Sequence, residues 1–184
     1  MIHSKSTGWS RQEISRNGVM EGIVNATEEM SPIPHRHTLN AYYQGKIGQM
    51  GIDLNGTYYY GTDKRNDLTI ETSEELDNRN VHSNSKESNH MYAAKLILDY
   101  PVMGGKLKVG TELTKTKSHG VFINEEGYVS SSETDIKEHN IAGFAQYELS
   151  AGHWYMGAGG RYEDVERNYY LYGVKQDDVS RTYH

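Results

Sequence analysis

"GIDLNGTYYYGTD", residues 51–63, alternates almost without interruption. Successive side chains of a strand point to opposite faces, so Ile52, Leu54, Gly56, Tyr58 and Tyr60 share one side and Asp53, Asn55, Thr57 and Tyr59 the other. One face is apolar and one is wet. Whether the apolar face meets a protein core or lipid decides the fold.

Five further stretches repeat the pattern. In "HTLNAYYQG", Leu39, Ala41 and Tyr43 oppose Thr38, Asn40, Tyr42 and Gln44, and in "MYAAKLILDY", Tyr92, Ala94, Leu96, Leu98 and Tyr100 oppose Lys95 and Asp99. In "KLKVGTELT", Leu107, Val109, Thr111 and Leu113 oppose Lys106, Lys108 and Glu112. "NIAGFAQYEL" sets Ile141, Gly143, Ala145, Tyr147 and Leu149 against Asn140, Gln146 and Glu148. "WYMGAGGRYE" sets Trp154, Met156, Ala158, Gly160 and Tyr162 against Arg161 and Glu163. Every charge in these six strands sits on the polar face, and no helical stripe competes with the period of two.

The composition fits a sheet at a wet–apolar boundary. Only 35% of the 184 residues are hydrophobic, and 15 Tyr stand against two Trp and two Phe, with 19 Gly. Tyr and Gly suit strands and turns that are apolar on one side and solvated on the other. A net charge of −6 argues against a nucleic-acid partner, which would demand a basic patch. The absence of Cys leaves the redox compartment unread. No stretch approaches the roughly 20 apolar residues of a transmembrane helix, and "MIHSKSTGWS" lacks the apolar core of a signal peptide.

The connections alternate in length. Short ones, "GKIGQMG" (45–51), "PVMGG" (101–105) and "SAGH" (150–153), alternate with the polar tracts 64–89 and 115–139. Tight turns at one end and long loops at the other are the rhythm of a transmembrane β-barrel; a soluble sandwich spaces its turns every 8–12 residues or so. Pro32 and Pro34 make residues 1–36 read as a loop or strand entrance. Residues 176–184 read as the start of a further loop. The expectation is therefore an all-β, antiparallel up-and-down meander: a six-stranded barrel segment over 37–175 with long outer loops 64–89 and 115–139.

Tyr43, Tyr100 and Trp154 fall near the short-turn ends, and Tyr58, Tyr60 and Tyr162 toward the long-loop ends. Two aromatic levels separated by small and aliphatic residues match the girdles of an outer-membrane barrel. On this reading Leu54, Tyr58, Leu96, Leu98, Val109, Leu149, Trp154 and Tyr162 face lipid. Asp53, Asn55, Lys95, Asp99, Glu112, Glu148, Arg161 and Glu163 face a wet lumen, where opposite charges pair across strands.

"GKIGQMGIDLNGTYYYG", "NHMYAAKLILDYPVMGGKLKVGTELT", "ETDIKEHNIAGFAQYEL" and "GGRYEDVERNYY" resemble the outer-membrane β-barrel family of TonB-dependent receptor-like proteins. The resemblance runs over about residues 37–175 and rests on patterns of strand and turn. It implies a place in the outer membrane of a Gram-negative cell, contact with outer-membrane lipid, and uptake of a ligand it does not identify. It also implies a plug domain and a TonB energy-coupling system, reached through parts absent from this chain. Six strands cannot close a membrane barrel, since the smallest have eight. The chain is thus expected to be an internal piece of a larger protein. The competing expectation is a soluble or surface-attached β-rich module, such as one that binds glycans.

No chemistry is singled out. His35 and His37 could share a metal ion, but no third ligand is fixed beside them. "GAGG" (157–160) opens no helix and so fails as a phosphate loop. The acidic run in "ETSEELDNRN" lacks the spacing of a calcium loop. "NAT" (25–27) and "NGT" (55–57) match a glycosylation triplet that is common by chance. His90, His119, His139 and His153 have Ser and Asp around them without a spacing that makes a nucleophile, base and orienter. No catalytic residue, metal or cofactor is expected, and the protein is not expected to be an enzyme.

Overall fold

The computed structural model describes residues 5–17, 19–74 and 77–183. Its strands are β1 (Ser6–Arg16), β2 (Val19–Ile47), β3 (Met50–Ser73), β4 (Arg79–Val102), β5 (Gly105–Asn124), β6 (Ser132–Ala151), β7 (Trp154–Leu171), β8 (Val174–Lys175) and β9 (Arg181–Tyr183). They form one antiparallel meander, ordered β1 to β8 in sequence, with β9 paired to β7. The path is open: β1 and β8 do not meet among the described residues. The six expected strands lie within β2 to β7. Their hairpins, 38–48 with 51–62, 90–100 with 105–116 and 140–150 with 153–164, are adjacent pairs.

Turn chemistry explains the tight connections. Met103 (φ 46°) and Gly104 (φ 77°) both take the left-handed conformation, as do Tyr172 (φ 49°) and Gly173 (φ 75°). A two-residue turn with both φ positive matches the right-handed twist of the strands that it joins.

The expected loops are mostly strand. β3 and β4 run through the tract 64–89 and leave 74–78 between them; residues 75 and 76 lie outside the described residues. β5 and β6 run through 115–139 and leave 125–131. Both faces of these stretches carry polar side chains, so no alternation marks them, yet the backbone ladder continues regardless of side-chain polarity. With β1 added to the six expected, the described residues hold seven long strands.

The ends need the same correction. Residues 1–4 lie outside the described residues, but β1 and β2 occupy most of 5–36. β1 pairs with β2 from Ser6↔Met30 to Arg16↔Val19, with a bulge at Ile14/Ser15. Pro32 and Pro34 fall inside β2, just past the described part of that ladder at Met30. Residues 174–183 are a return strand along β7, Tyr170↔Lys175 and Val165↔Tyr183, broken by an excursion at 176–180. Ser180 holds that excursion: its hydroxyl donates to the Gln176 carbonyl at 2.7 Å and accepts from the Tyr169 N–H at 3.2 Å. His184 lies outside the described residues.

The chain divides into two compact units: residues 1–35, 61–88 and 119–134 form one, and 36–60, 89–118 and 135–184 the other. Among the described residues the buried hydrophobic side chains are Val24 and Ala142, one in each unit. A single sheet has no second layer to receive its apolar face.

Candidate functional site

The charged face of residues 36–60, 89–118 and 135–184 is the most organised chemistry in the molecule. Lys95 on β4 pairs with Glu112 on β5 at 2.6 Å, and Arg161 on β7 reaches the other Glu112 oxygen at 2.8 Å. Arg161 also bonds Glu163 at 3.2 Å, and Glu163 accepts from the Asn140 amide of β6 at 2.5 Å. Lys106 pairs with Asp99 at 2.8 Å, and Lys108 with Glu148 at 3.3 Å. On β2 and β3, Gln44 and Asn55 both donate to Asp53, and Thr57 donates to Asn40. Asp53, Asn55, Lys95, Asp99, Glu112, Glu148, Arg161 and Glu163 thus all enter polar contacts on one face.

Arg161 and Glu112 stand on strands separated by β6, so the arginine must pass over β6 to reach its partner. Ala142 has the polar-face parity of β6 and is 1% exposed. With only a methyl group, Ala142 adds little bulk to the strand that the guanidinium crosses. Phe144, next along the same face, lies against the bare backbone of Gly110: a Cβ on Gly110 would fall 2.4 Å from its ring and 2.8 Å from the Leu96 carbonyl oxygen. An aromatic ring laid on a strand glycine pins register. Lys95, Glu112, Phe144, Gln146, Tyr155 and Arg161 line a groove of about 670 Å³, and Gly157 and Gly159 complete its wall. Ala142, Phe144 and Tyr155 were not singled out in the sequence. Their signal was present, as small or aromatic residues at polar-face positions between charges.

The other face of the same unit carries aliphatic and aromatic side chains along its strands. Leu54, Val109, Trp154 and Tyr162 are exposed, and Leu96, Leu98 and Leu149 half-buried. Tyr58 packs on Tyr92 with ring centroids 4.9 Å apart. His37 stacks on Tyr60 at 6.3 Å and Tyr60 meets His90 at 4.7 Å. His37 therefore belongs to an aromatic row. "GAGG" lies within β7, "NGT" within β3 and "NAT" within β2.

In the other unit the polar groups serve the hairpin tips. Asn124, 5% exposed, accepts from the Val129 N–H and donates to the His82 carbonyl, each at 3.2 Å, closing the 125–131 turn. His82 holds Glu126 twice, through its ring at 2.5 Å and its N–H at 2.8 Å. The Glu126 hydrogen bond raises the His82 pKa, and the His82 ring in turn holds the Glu126 carboxyl below its usual range. Arg79 pairs with Glu71 and lies over the Tyr128 ring, 5.2 Å from its centroid. Of the acidic run "ETSEELDNRN", Glu71 pairs with Arg79, and at the β3–β4 tip Asn78 accepts from the Ser73 N–H at 2.8 Å.

A meander of amphipathic strands, with charge on one face and tight turns between its hairpins, is the wall of an outer-membrane type of β-barrel. The sequence profile of the outer membrane protein beta-barrel family matches residues 46–184, and the chain belongs to that family. It is therefore an outer-membrane protein, and the soluble binding module expected as an alternative is set aside. Among solved structures the chain is similar to the crystal structure of the ferric citrate transporter FecA in the unliganded form, at 9% identity and a TM-score of 0.40. That likeness covers 88% of this chain and 32% of the transporter, so the chain spans about a third of its length. No curated protein matches the chain.

Proposed function

We propose that the chain forms barrel wall and surface hairpins of an outer-membrane receptor of the TonB-dependent kind, which takes up a ligand without catalysing its conversion. The observation that carries the proposal is the segregation of charge. Lys95, Glu112, Arg161 and Glu163 form a continuous network on one face, while Leu54, Leu96, Leu98, Val109 and Leu149 share the other. Such a network needs water or protein against it, whereas lipid requires the uncharged face. On this reading the charged face lines a lumen that a plug domain can fill, and the tips at 74–78 and 125–131 meet the ligand.

The test uses the whole protein that contains this chain, with growth of its host on a panel of metal chelates and oligosaccharides as sole sources. Growth on one of them should fall equally when the receptor or the energy-coupling protein is deleted. Receptor-dependent growth that survives loss of the coupling protein would overturn energised uptake.

A further inference from the structure

We propose that the apolar face of residues 36–60, 89–118 and 135–184 carries a site for a phosphate-bearing membrane lipid. An acyl chain lies in a groove between β2 and β6, and the anionic headgroup rests on Lys115 and His139. The proposal rests on the reading that this face meets lipid.

The groove measures about 440 Å³, within the range of roughly 300–1,000 Å³ usual for ligand clefts. Ala41, Gly56 and Ala94 form its trough, and Leu39, Leu113 and Ile141 its larger walls. Small residues in neighbouring strands open a channel that bulkier ones would close. Lys115 and His139 line the same cavity, two residues beyond Leu113 and two before Ile141 on the same face. A cation thus stands at the end of an apolar trough, which is the arrangement a charged headgroup with an acyl tail complements.

The level is also right. Tyr58 and Tyr92, paired beside the trough, belong to the aromatic row at which rings prefer the headgroup boundary. Lys115 and His139 line the same cavity as that pair. Lys115 is exposed and makes no ion pair among the described residues, and the same holds for Lys117 on the same face. Asp135 and Asp164, which share the parity of this face, have partners of their own. The positive charge is therefore open to a phosphate.

Native mass spectrometry of the whole protein in detergent tests the site, with phosphatidylglycerol, phosphatidylcholine and inorganic phosphate as probes. One phosphatidylglycerol should be retained in preference to phosphatidylcholine, and millimolar phosphate should not displace it. Lys115→Ala should weaken retention roughly five-fold, and His139→Ala should weaken it as well. Gly56→Leu should abolish binding of both lipids by filling the trough. A Cβ on Gly56 would meet only the Ala41 carbonyl oxygen, at 3.9 Å, so a side chain can begin there without striking the backbone. Equal retention of the two lipids, or retention unmoved by all three variants, would overturn the site. Competition by phosphate that Gly56→Leu leaves intact would show a free-anion site instead. Leu54→Cys separates the two failures. If a membrane-impermeant maleimide labels it, the lipid-facing reading falls and the site with it. If it stays shielded while lipid preference is absent, the site alone is wrong.

Discussion

In residues 36–60, 89–118 and 135–184 the strand charges keep largely to one face and pair there, as in Lys95–Glu112–Arg161. In residues 61–88 and 119–134 polar groups occupy both faces, and their bonds run to turns, as from Asn124 to Val129 and His82 to Glu126. The backbone is equally regular in both: β3 and β4 each continue for 24 residues, against roughly 9–11 for a strand that crosses a bilayer. The comparison teaches that two requirements are superimposed on one sheet. Hydrogen bonding sets where strands continue, whereas the solvent on each face sets where they alternate.

A single arginine exposes that difference most sharply. Leu96→Arg, on the apolar face, should cost about 2–4 kcal/mol if the side chain meets the bilayer midplane. Ile70→Arg, at an exposed apolar position in the other unit, should stay within about 0.5 kcal/mol. Urea titration of the whole protein folded in lipid vesicles measures both. Equal costs would erase the distinction between the two regions.

The charged face offers a second, smaller contrast. Ala142→Leu forces Arg161 off its path to Glu112 and should cost about 1–3 kcal/mol. Gly143→Ala, one residue on and facing the other way with nothing within 4 Å of its added methyl, should change stability by under about 0.5 kcal/mol. Gly110→Ala drives a methyl into the Phe144 ring, and the two positions should couple by about 0.5–3 kcal/mol in a double-mutant cycle with Phe144→Ala. Additivity there would mean that the ring does not brace the glycine.

These contrasts also mark what could be read from sequence. Asp53, Lys95, Glu112 and Arg161 were legible as partners on one face because period two fixes parity, and parity fixes the face. The three hairpins were legible because Gly48, Gly104 and Gly152, all at positive φ, sit where the apolar runs stop. The strands through 64–73, 79–89 and 115–124 were not, since a strand wet on both sides has no amphipathic signature. Pro32 and Pro34 misled for a related reason: proline is disfavoured in strand interiors, yet both lie inside β2. Ala142 was hidden because its importance lies in what it omits, bulk on the strand that Arg161 crosses to reach Glu112.

The smallest expected effect belongs to the turn-forming region and depends on pH. Glu126 raises the His82 pKa by hydrogen bonding, so that contribution is complete below about pH 6.5, the ordinary value, and is lost as pH rises through the raised folded value. His82 lowers the Glu126 pKa, so that contribution is complete above about pH 4.5 and is lost as pH falls through the lowered folded value. Both hold between about pH 4.5 and 6.5. Exchange of the Val129 amide, corrected for its intrinsic pH dependence, should be slowest in that window, because the Glu126 contact fixes the turn that Asn124 closes. His82→Gln should flatten the profile while Lys95→Gln, on the charged face of the other unit, leaves it unchanged. A profile that survives His82→Gln would mean that Asn124 alone holds the tip. A profile that moves with Lys95→Gln would mean that the two regions titrate as one network, and the contrast between them would not extend to their electrostatics.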